Sequence, residues 1–364
     1  MTMAERQRTE ERVFNHIRYI RITDDTPTHS RGTVIFPDAV DREGHIFTVW
    51  GFPRIKRIYV LKRGVERYFK DAPFVVEEKI DGYNVRLVSI QGRLLALTRG
   101  GFVCPYTTEW AETWAEEMGL QEFFQDYPDH VLCGEAIGAS PYNAQRIYDL
   151  PPGLHFRLFD IADYRGRLLP PEQKYLLAAR YGIPTVPQLG QYDAHQITTL
   201  QEVLLDINQR GGEGVVMKSL DGERMLKFVT PLSDLADIRD NLGVLFDVDS
   251  GYFTNRLLRV ALFVQEFGLD PDEYARHIGQ AVLQGLDALR NFQHAAEEYT
   301  ILVRNITTWH ALRALVSDRV RVEELYTRAV ILNRRPYIQV GFKRVFRKST
   351  KRFRTLLKGY GHYD

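Results

Sequence analysis

The hydrophobic pattern of this 364-residue chain changes near residue 230. Before that point, short runs rich in β-branched and aromatic residues are separated by glycine and aspartate, a pattern typical of strands; examples are GTVIF, FVVEEKI and NVRLVSI. After it, apolar residues recur at spacings of three and four, which predicts helices. We therefore expect an α+β fold, in which a domain of antiparallel sheets with flanking helices is followed by an all-helical C-terminal module.

The length predicts more than one module, because a single hydrophobic core usually stops growing at about 250–300 residues. We expect a strand-rich N-terminal module over residues 1–60, a central domain over 61–232 and a helical C-terminal module over 233–364. The last module contains an apolar stripe at helical spacing, made of Ile278, Val282, Leu286 and Leu289. The stripe fits either packing within the chain or a dimer interface.

Charge and cysteine content exclude several classes of protein. Lys and Arg total 48 against 47 Asp and Glu, so the net charge of +1 gives no reason to expect a polyanionic partner unless basic residues cluster locally. The two cysteines, Cys104 and Cys133, cannot build a disulfide framework or a four-cysteine zinc site. The charged N-terminus has no signal-like apolar run, and no apolar stretch is long enough to span a bilayer. We expect a cytoplasmic protein without a membrane partner.

A local basic cluster does occur near the C-terminus. The segment RRPYIQVGFKRVFRKSTKRFRTLLKGY contains no Asp or Glu, and its basic residues are interleaved with Tyr337, Phe342, Phe346 and Phe353. This combination suits phosphate contacts together with base stacking. A basic, solvated helix or tail is the alternative interpretation.

Lys79 lies at the end of an apolar run, within the segment Glu78-Lys79-Ile80-Asp81-Gly82. A lysine amine is nucleophilic only when deprotonated, so its pKa, ordinarily about 10.4, must be lowered by burial or by nearby positive charge. Gly82 permits a sharp turn, and Asp81 is placed to orient the amine. Taken alone, the segment fits a surface lysine before a turn equally well.

Two more lysines follow on predicted neighbouring strands. Glu213 precedes the strand that ends at Lys218, and the next strand carries Lys227 after a turn at Asp221-Gly222. A regular strand would place Glu213 and Lys218 on opposite faces, unless Gly214 permits a bend. The two ammonium groups could meet, lower the pKa of Lys79 and neutralise nucleotide phosphates. A hairpin strand with a capping glutamate is the alternative interpretation.

The order of these segments resembles the covalent nucleotidyltransferase superfamily of DNA ligases, RNA ligases and RNA-capping enzymes. The matching segments, spread over about residues 50 to 230, are Lys79-Ile80-Asp81-Gly82, Leu132-Cys133-Gly134-Glu135, Phe156-Arg157-Leu158-Phe159-Asp160, Glu213-Gly214-Val215-Val216-Met217-Lys218 and Leu226-Lys227-Phe228. The resemblance implies an ATP-grasp-like ligase domain over residues 61–232.

The resemblance also implies roles for individual residues. Lys79 would become lysyl-AMP, Glu135 would bind the ribose hydroxyls, and Phe159 would stack on adenine. Glu213 would hold Mg²⁺ or Mn²⁺, and the phosphates of ATP would be contacted by Lys218 and Lys227. Further nucleotide contacts are expected from Glu78, Asn84, Arg86 and Arg99. Without the resemblance, Glu135 is interpreted as a strand-end surface residue, Phe159 as a core aromatic and Arg99 as a turn residue.

A narrower resemblance separates the superfamily members. DNA ligases and capping enzymes carry an OB-fold barrel after the catalytic domain, and no series of short alternating strands is visible after residue 230. The segments EEKIDGYNVR, EGVVMKS and LKFVTPLSDLADI are similar to the archaeal-type RNA-circularising ligases, which are homodimers built through C-terminal helices. The chain departs from that family at Lys227. The family usually has two lysines separated by one residue, whereas this chain has Lys227-Phe228-Val229. The narrower resemblance implies an ATP-dependent RNA ligase joining 5′-phosphate and 3′-hydroxyl ends. A DNA ligase, a capping enzyme or a non-catalytic RNA-binding protein are the alternatives.

Overall fold

The computed structural model describes residues 8–144, 146–290, 295–317 and 320–360. An N-terminal antiparallel sheet has the strand order β1-β2-β3-β4 and is formed by β1 (Thr9–Phe14), β2 (Ile17–Ile22), β3 (Val34–Val40) and β4 (Ile46–Val49). The first hairpin turns at Asn15 and His16, which have φ angles of 46° and 69°. Two successive left-handed residues are what a tight two-residue hairpin turn requires. The expected strand-rich beginning of the chain is confirmed.

The central region contains two sheets that the chain visits alternately. Its elements are β5 (Lys56–Arg57), α1 (Leu61–Tyr68), β6 (Phe74–Lys79), β7 (Tyr83–Ile90), β8 (Arg93–Thr98), α2 (Pro105–Glu117), α3 (Leu120–Asp126), β9 (Val131–Gly138), β10 (Leu154–Ala162), α4 (Pro171–Arg180), β11 (Gln188–Tyr192), α5 (Ile197–Gln209), β12 (Gly214–Ser219) and β13 (Met225–Val229). One sheet has the order β10-β9-β7-β8, and the other has the order β11-β6-β12-β13-β5. The expected mixed α+β class with antiparallel sheets and flanking helices is confirmed.

The C-terminal region is not all-helical, which corrects the prediction. After α6 (Pro231–Asn241), α7 (Gly251–Phe267) and α8 (Pro271–Arg290), the elements are β14 (Ala296–Val303), α9 (Ile306–Ser317), β15 (Arg321–Leu332), β16 (Arg335–Val345) and α10 (Arg347–Leu357). The strands form a sheet of order β14-β16-β15. The segment 321–332 has an apolar spacing that predicts a helix. It is instead a strand because it pairs along its length with β16 through a turn at Asn333 and Arg334, whose φ angles are 50° and 62°.

The C-terminal sheet shares a hydrophobic core with the β10-β9-β7-β8 sheet. Ile301, Trp309 and Phe342 are fully buried in the same cluster as Trp114 of α2. The indole of Trp110 donates to the carbonyl of Leu302 at 3.0 Å. These contacts bring the C-terminal sheet against the domain that carries Lys79.

The predicted apolar stripe is divided by the structure. Ile278 and Val282 pack against a cluster that contains Ile238 and Val260, so packing within the chain accounts for them. Leu286 is 37% exposed, and the side chain of Leu289 lies outside the described part of the structure.

Three aromatic residues of the basic segment, Tyr337, Phe342 and Phe353, pack within the protein and do not form the expected stacking surface. Tyr337 and Phe342 are buried, and the Tyr337 ring stacks on Trp110 with centroids 5.8 Å apart. Phe353 packs on Phe246 at 5.1 Å. Both cysteines are buried and unpaired. No helix in the described residues is long and apolar enough to cross a membrane.

Candidate active site

Strand register brings Lys79, Lys218 and Lys227 to one face of one sheet. Strand β12 lies between β6 and β13. On its β6 side Gly214 pairs with Lys79, and on its β13 side Val216 pairs with Lys227. Because side chains alternate between faces, residues 214, 216 and 218 lie on one face of the sheet. Lys79 and Lys227, which pair with residues 214 and 216, lie on that same face. The register therefore places Lys218 and Lys227 on the same sheet face as Lys79.

Gly82 brings the Lys79 loop against the second sheet. A Cβ atom at Gly82 would lie 2.4 Å from the carbonyl oxygen of Ala136 and 2.6 Å from the side chain of Ile137. Both distances are far below van der Waals contact. The glycine therefore permits a close approach of backbone to strand β9. The next strand then places Asn84 directly opposite Glu135.

A cavity of about 950 Å³ opens between the two sheets, a size suited to a nucleotide. Most of the predicted site residues line it, namely Glu78, Lys79, Asn84, Arg99, Glu135, Phe159, Lys218 and Lys227. The amide oxygen of Asn84 is buried and has no hydrogen-bond partner in the described structure. It is available to a donor such as a hydroxyl of a bound molecule. The C-terminal region also contributes to the wall, through Val316, Val320 and Arg344.

Lys79 is held by carboxylates in this structure. Its Nζ donates to Oε2 of Glu213 at 2.5 Å. Burial opposes the charge on Lys79, but the negative charges of Glu213, Glu135 and Asp81 outweigh it and raise its pKa. The expectation that two neighbouring cations lower the Lys79 pKa is wrong, because the negative charges of the carboxylates dominate at the amine.

Glu213 reaches Lys79 because the backbone bends at Gly214. The φ angle of Gly214 is 145°, and a Cβ atom there would lie 2.1 Å from the carbonyl oxygen of Phe228. Only glycine fits this close, positive-φ position. The bend that would let Glu213 and Lys218 serve one site is therefore confirmed.

Glu135 and Asp81 add further negative charge beside the amine. Burial raises the pKa of Glu135 to about 8, and Glu213 and Asp81 reinforce that shift against the opposing charge of Lys79. Burial, followed by the charges of Glu213 and Asp237, raises the pKa of Asp81 to about 6. The acidic side chains that act on the Lys79 amine are therefore Glu213, Glu135 and Asp81.

The raised pKa of Glu135 predicts a pH-dependent change in stability. Burial disfavours ionisation of this carboxyl in the folded protein but not in the unfolded chain. The free energy of unfolding therefore falls as pH rises from 4.5, the ordinary pKa of the group, towards 8. Glu135→Gln removes the ionisation. We expect the variant to gain roughly 4 kcal/mol relative to wild type as pH rises from 5 to 8.5, since each pKa unit corresponds to about 1.36 kcal/mol.

Melting curves of both nucleotide-free proteins at the two pH values provide the measurement. Glu172→Gln, at an exposed position on α4, is the matched control and should show the same difference from wild type at both pH values. A pH-independent difference for Glu135→Gln would contradict the assigned ionisation.

Lys218 belongs to a buried network behind the cavity. Its Nζ contacts Oδ1 of Asp160 and Oε2 of Glu77, each at 2.8 Å, and donates to the carbonyl of Phe159 at 2.7 Å. Lys174 of α4 joins the same network by donating to Glu77 and, at 3.0 Å, to the carbonyl of Phe159. Burial raises the pKa of Glu77, but the charges of Lys218 and Lys174 outweigh it and lower the pKa overall.

The pKa of Lys227 is shifted in the opposite direction to the pKa of Lys79. Burial, together with the positive charges of Arg57, Lys79 and Arg99, lowers the pKa of Lys227 to about 8. Anionic phosphates in the cavity would relieve this repulsion and favour the charged amine. Lys227 is therefore suited to a phosphate contact.

Phe159 borders the cavity rather than filling a core. It is partly buried, and its ring makes an edge-on contact with Phe52, with centroids 5.2 Å apart and an interplanar angle of 70°. The two lysine contacts to its carbonyl fix the backbone from which the ring projects. A planar base could stack against this ring.

Glu213 contacts Lys79 but does not line the cavity. Arg86 does not line it either. Its side chain is 1% exposed, and its guanidinium donates to the carbonyls of Trp50, Gly32 and Thr98 at 2.7 to 2.9 Å. Arg86 follows Asn84 on the same face of β7, but these carbonyls engage both of its terminal nitrogens, and its buried Nε has no hydrogen-bond partner within the described residues. It ties the N-terminal sheet to the turn before Arg99.

Glu78 is placed at the edge of the cavity and is paired with Arg210, with Nη1 to Oε1 at 2.7 Å. It lies on the opposite face of β6 from Lys79 because strand side chains alternate.

The sequence analysis missed Glu77, Asp160 and Lys174. Alternation along β6 could have identified Glu77, since it shares a face with Lys79. Asp160 directly follows Phe159, although its residue type alone gave no indication of a role. Lys174 carried no detectable signal because it lies in a polar helix, PEQKYLLAAR, where a lysine is ordinarily exposed.

A divalent cation would have few protein ligands here. No cluster of three or more His, Cys, Asp or Glu with metal-binding geometry occurs within residues 8–144, 146–290, 295–317 and 320–360. The hard carboxylate oxygens of Glu213 still fit Mg²⁺ or Mn²⁺, because Mg²⁺ is usually held by one or two carboxylates together with water and substrate phosphates.

Comparisons with known proteins agree with the geometry. A family model described as RNA ligase matches residues 72–229, and one described as the C-terminal region of the ligase Pab1020 matches residues 242–360. A protein from Aquifex aeolicus named as an ATP-dependent DNA ligase is 30% identical, with a TM-score of 0.87 over 99% of this chain and 98% of that one. An archaeal ATP-dependent RNA ligase is 28% identical, with a TM-score of 0.86 over 97% of this chain and 93% of that one. An uncharacterized protein of Methanocaldococcus jannaschii is 29% identical over 75% of this chain and 70% of its own length.

Proposed function

This chain belongs to the ATP-dependent RNA ligase family of covalent nucleotidyltransferases, and we propose that it stores AMP on Lys79 and uses it to join RNA 5′-phosphate and 3′-hydroxyl ends. The observation that supports this assignment of Lys79 is its position in a nucleotide-sized cavity, on one sheet face with Lys218 and Lys227. Glu135 and Phe159 line the same cavity and could hold the ribose and the base.

In the first step, the Nζ of Lys79 attacks the α-phosphorus of ATP. A nitrogen–phosphorus bond forms as the bond to the pyrophosphate oxygen breaks. Lys79 must first lose its proton to solvent, a loss that the Glu213 carboxylate contacting its Nζ opposes. Lys218 and Lys227 would neutralise the phosphate charge.

A divalent cation bound by Glu213 would cancel the carboxylate charge that raises the Lys79 pKa and would carry part of the phosphate charge. The neighbouring residues keep their own roles. Phe159 orients the base, and Asn84 and Glu135 orient the sugar from paired positions on β7 and β9.

The two later steps use the stored AMP. An oxygen of the RNA 5′-phosphate attacks the phosphorus of lysyl-AMP, which releases Lys79 and gives an adenylylated 5′ end. The 3′-hydroxyl then attacks the 5′-phosphorus, and AMP leaves as the phosphodiester forms.

Self-adenylylation is the test of this proposal. Pure protein mixed with α-labelled ATP and Mg²⁺ should acquire label, and mass spectrometry should find AMP on the peptide that contains Lys79. An unlabelled wild-type protein would count against the proposed chemistry. GTP supplied in place of ATP tests the capping alternative.

DNA ligation is the second candidate, because the Aquifex aeolicus protein is named as a DNA ligase. Against it, the described chain after residue 230 has three strands in one open sheet, whereas an OB-fold barrel has five. Nicked duplex DNA and 5′-phosphorylated single-stranded RNA should be compared as substrates. We expect sealing of RNA.

We further propose that the protein is a cytoplasmic homodimer that associates through its C-terminal helices. Exposed apolar residues on α7 and α8 support association, since Leu258 is 50% and Leu283 is 63% exposed. Light scattering should give twice the chain mass.

A further inference from the structure

A second cavity, of about 440 Å³, lies in the C-terminal region between α10 and the paired ends of β15 and β16. We call it the α10 cleft. Its lining residues are Arg321, Val345, Arg347, Thr350, Lys351, Arg354, Thr355, Lys358 and Tyr360. Five of these nine side chains are cationic and none is acidic, so the cleft is strongly electropositive.

The cations are arranged along one side of α10. Arg347, Lys351, Arg354 and Lys358 follow one another at intervals of four, three and four residues, which places them on one helical face. Like charges at these spacings destabilise a helix unless an anion compensates them. A bound polyanion would supply such compensation.

The opposite side of α10 is fixed to the protein. The hydroxyl of Ser349 accepts from the backbone N–H of Phe246 at 3.1 Å, and the N–H of Ser349 donates to Asp247 at 2.7 Å. The ring of Phe353 packs on Phe246. These contacts orient the helix so that the cationic row faces the cleft.

The α10 cleft adjoins the nucleotide cavity. Arg321 pairs with Val345, and both residues line the cleft. On the same strands, Arg344 is next to Val345, and Val320 is next to Arg321, and both of these line the nucleotide cavity. Residues that are next to each other in sequence therefore line the two cavities at the paired ends of β15 and β16.

We propose that the α10 cleft binds backbone phosphates of the RNA strand whose end lies in the nucleotide cavity. This inference rests on the proposed function. The cationic row supplies sequence-independent phosphate contacts, and Tyr360, 65% exposed at the end of the row, offers a ring for a base to stack on. RNA is favoured over an anionic membrane because the cations line a concavity, and because Arg321 and Val345 of that concavity are each next in sequence to a residue that lines the nucleotide cavity.

The test is RNA binding by a triple variant, Arg347→Ala with Lys351→Ala and Lys358→Ala. The probe is a fluorescent, 5′-phosphorylated single-stranded RNA of about 16 nucleotides, measured by anisotropy across a range of salt concentrations. We expect the Kd at low salt to rise roughly 10- to 100-fold, and the slope of log K against log salt to decrease in magnitude by about 2, since each phosphate contact contributes about 0.7.

The matched control replaces three exposed cations outside the cleft, Lys62, Arg67 and Lys348, with alanine. It should bind RNA like wild type. Self-adenylylation should be unchanged in both triple variants, because none of the six residues lines the nucleotide cavity. Circular dichroism checks folding, and the single charge reversal Lys351→Glu should weaken RNA binding even if the triple variant fails to fold.

The outcomes separate this inference from the proposed function. If wild type acquires no AMP label, the proposed function fails regardless of RNA binding. If wild type is labelled but the cleft variant keeps the Kd and salt slope of the control, the α10 cleft does not bind RNA. Loss of binding to phosphatidylserine vesicles without loss of RNA binding would assign the cleft to a membrane and overturn the inference.

Discussion

Lys79→Ala should abolish self-adenylylation, with a loss on the order of 10⁴-fold or more, because removal of a nucleophile leaves only binding and electrostatic stabilisation. Lys227 is a second candidate nucleophile in the cavity, so this result distinguishes between two lysines. Burial and nearby cations lower the pKa of Lys227 to about 8, whereas the carboxylates raise the pKa of Lys79. By protonation alone, Lys227 would be the more available amine.

Labelling of three proteins distinguishes the two lysines. Wild type should carry AMP on the Lys79 peptide, Lys227→Ala should label more slowly on that same peptide, and Lys79→Ala should carry none. Lys79→Arg keeps the positive charge without a competent nucleophile and should also remain unlabelled. AMP on the Lys227 peptide of wild type would reassign the nucleophile.

The same Lys79→Ala protein should still seal RNA that is already adenylylated. That last step transfers the 5′-phosphorus to a 3′-hydroxyl and needs no lysyl-AMP. A variant that fails with both ATP and adenylylated RNA, while melting like wild type, would indicate that Lys79 also takes part in sealing.

Lys218→Met should be the next most damaging change, for two separate reasons. It leaves Glu77 and Asp160 with one cation fewer in a buried network, and breaking a buried ion pair usually costs about 3–5 kcal/mol. It also removes an amine from the cavity wall. We expect a lowered melting temperature together with a loss of self-adenylylation of roughly 10²-fold or more.

Lys174→Met is the matched control for this prediction. Lys174 belongs to the same buried network and contacts Glu77 and the Phe159 carbonyl, but it does not line the cavity. We expect a similar loss of stability with a much smaller effect on the adenylylation rate at saturating ATP. Its KM for ATP should rise, because Lys174 helps to position Phe159. If both variants lose the same fraction of activity at a temperature where both are folded, Lys218 acts only through the network.

Strand periodicity is why much of the site could be predicted. Lys218 and Lys227 flank a turn in which Gly222 has a φ of 78°, and a tight turn between two strands leaves few possible registers. Their placement on one sheet face was therefore a local inference. The bend at Gly214 was likewise foreseeable because glycine alone tolerates that backbone conformation.

The remaining errors arise from contacts that lie far apart in the sequence. The partner of Lys174 is 97 residues away, so nothing in its helix distinguishes it from an exposed lysine. Arg86 has the right spacing for the cavity, but carbonyls from the N-terminal sheet and the β8 turn capture its guanidinium. Strand β15 carries a helix-like apolar spacing and is decided by its pairing with β16. In each case tertiary contacts outweigh a local pattern.

Because Gly82 packs tightly against β9, the two ends of the Lys79-to-Gly82 segment are constrained for different reasons. The glycine is required by the shape of the chain, whereas the lysine is required by its chemistry. Descendants that lost the reaction but kept the architecture should retain the glycine and drift at the lysine. Genome surveys that score the two positions separately would distinguish working enzymes from folded remnants.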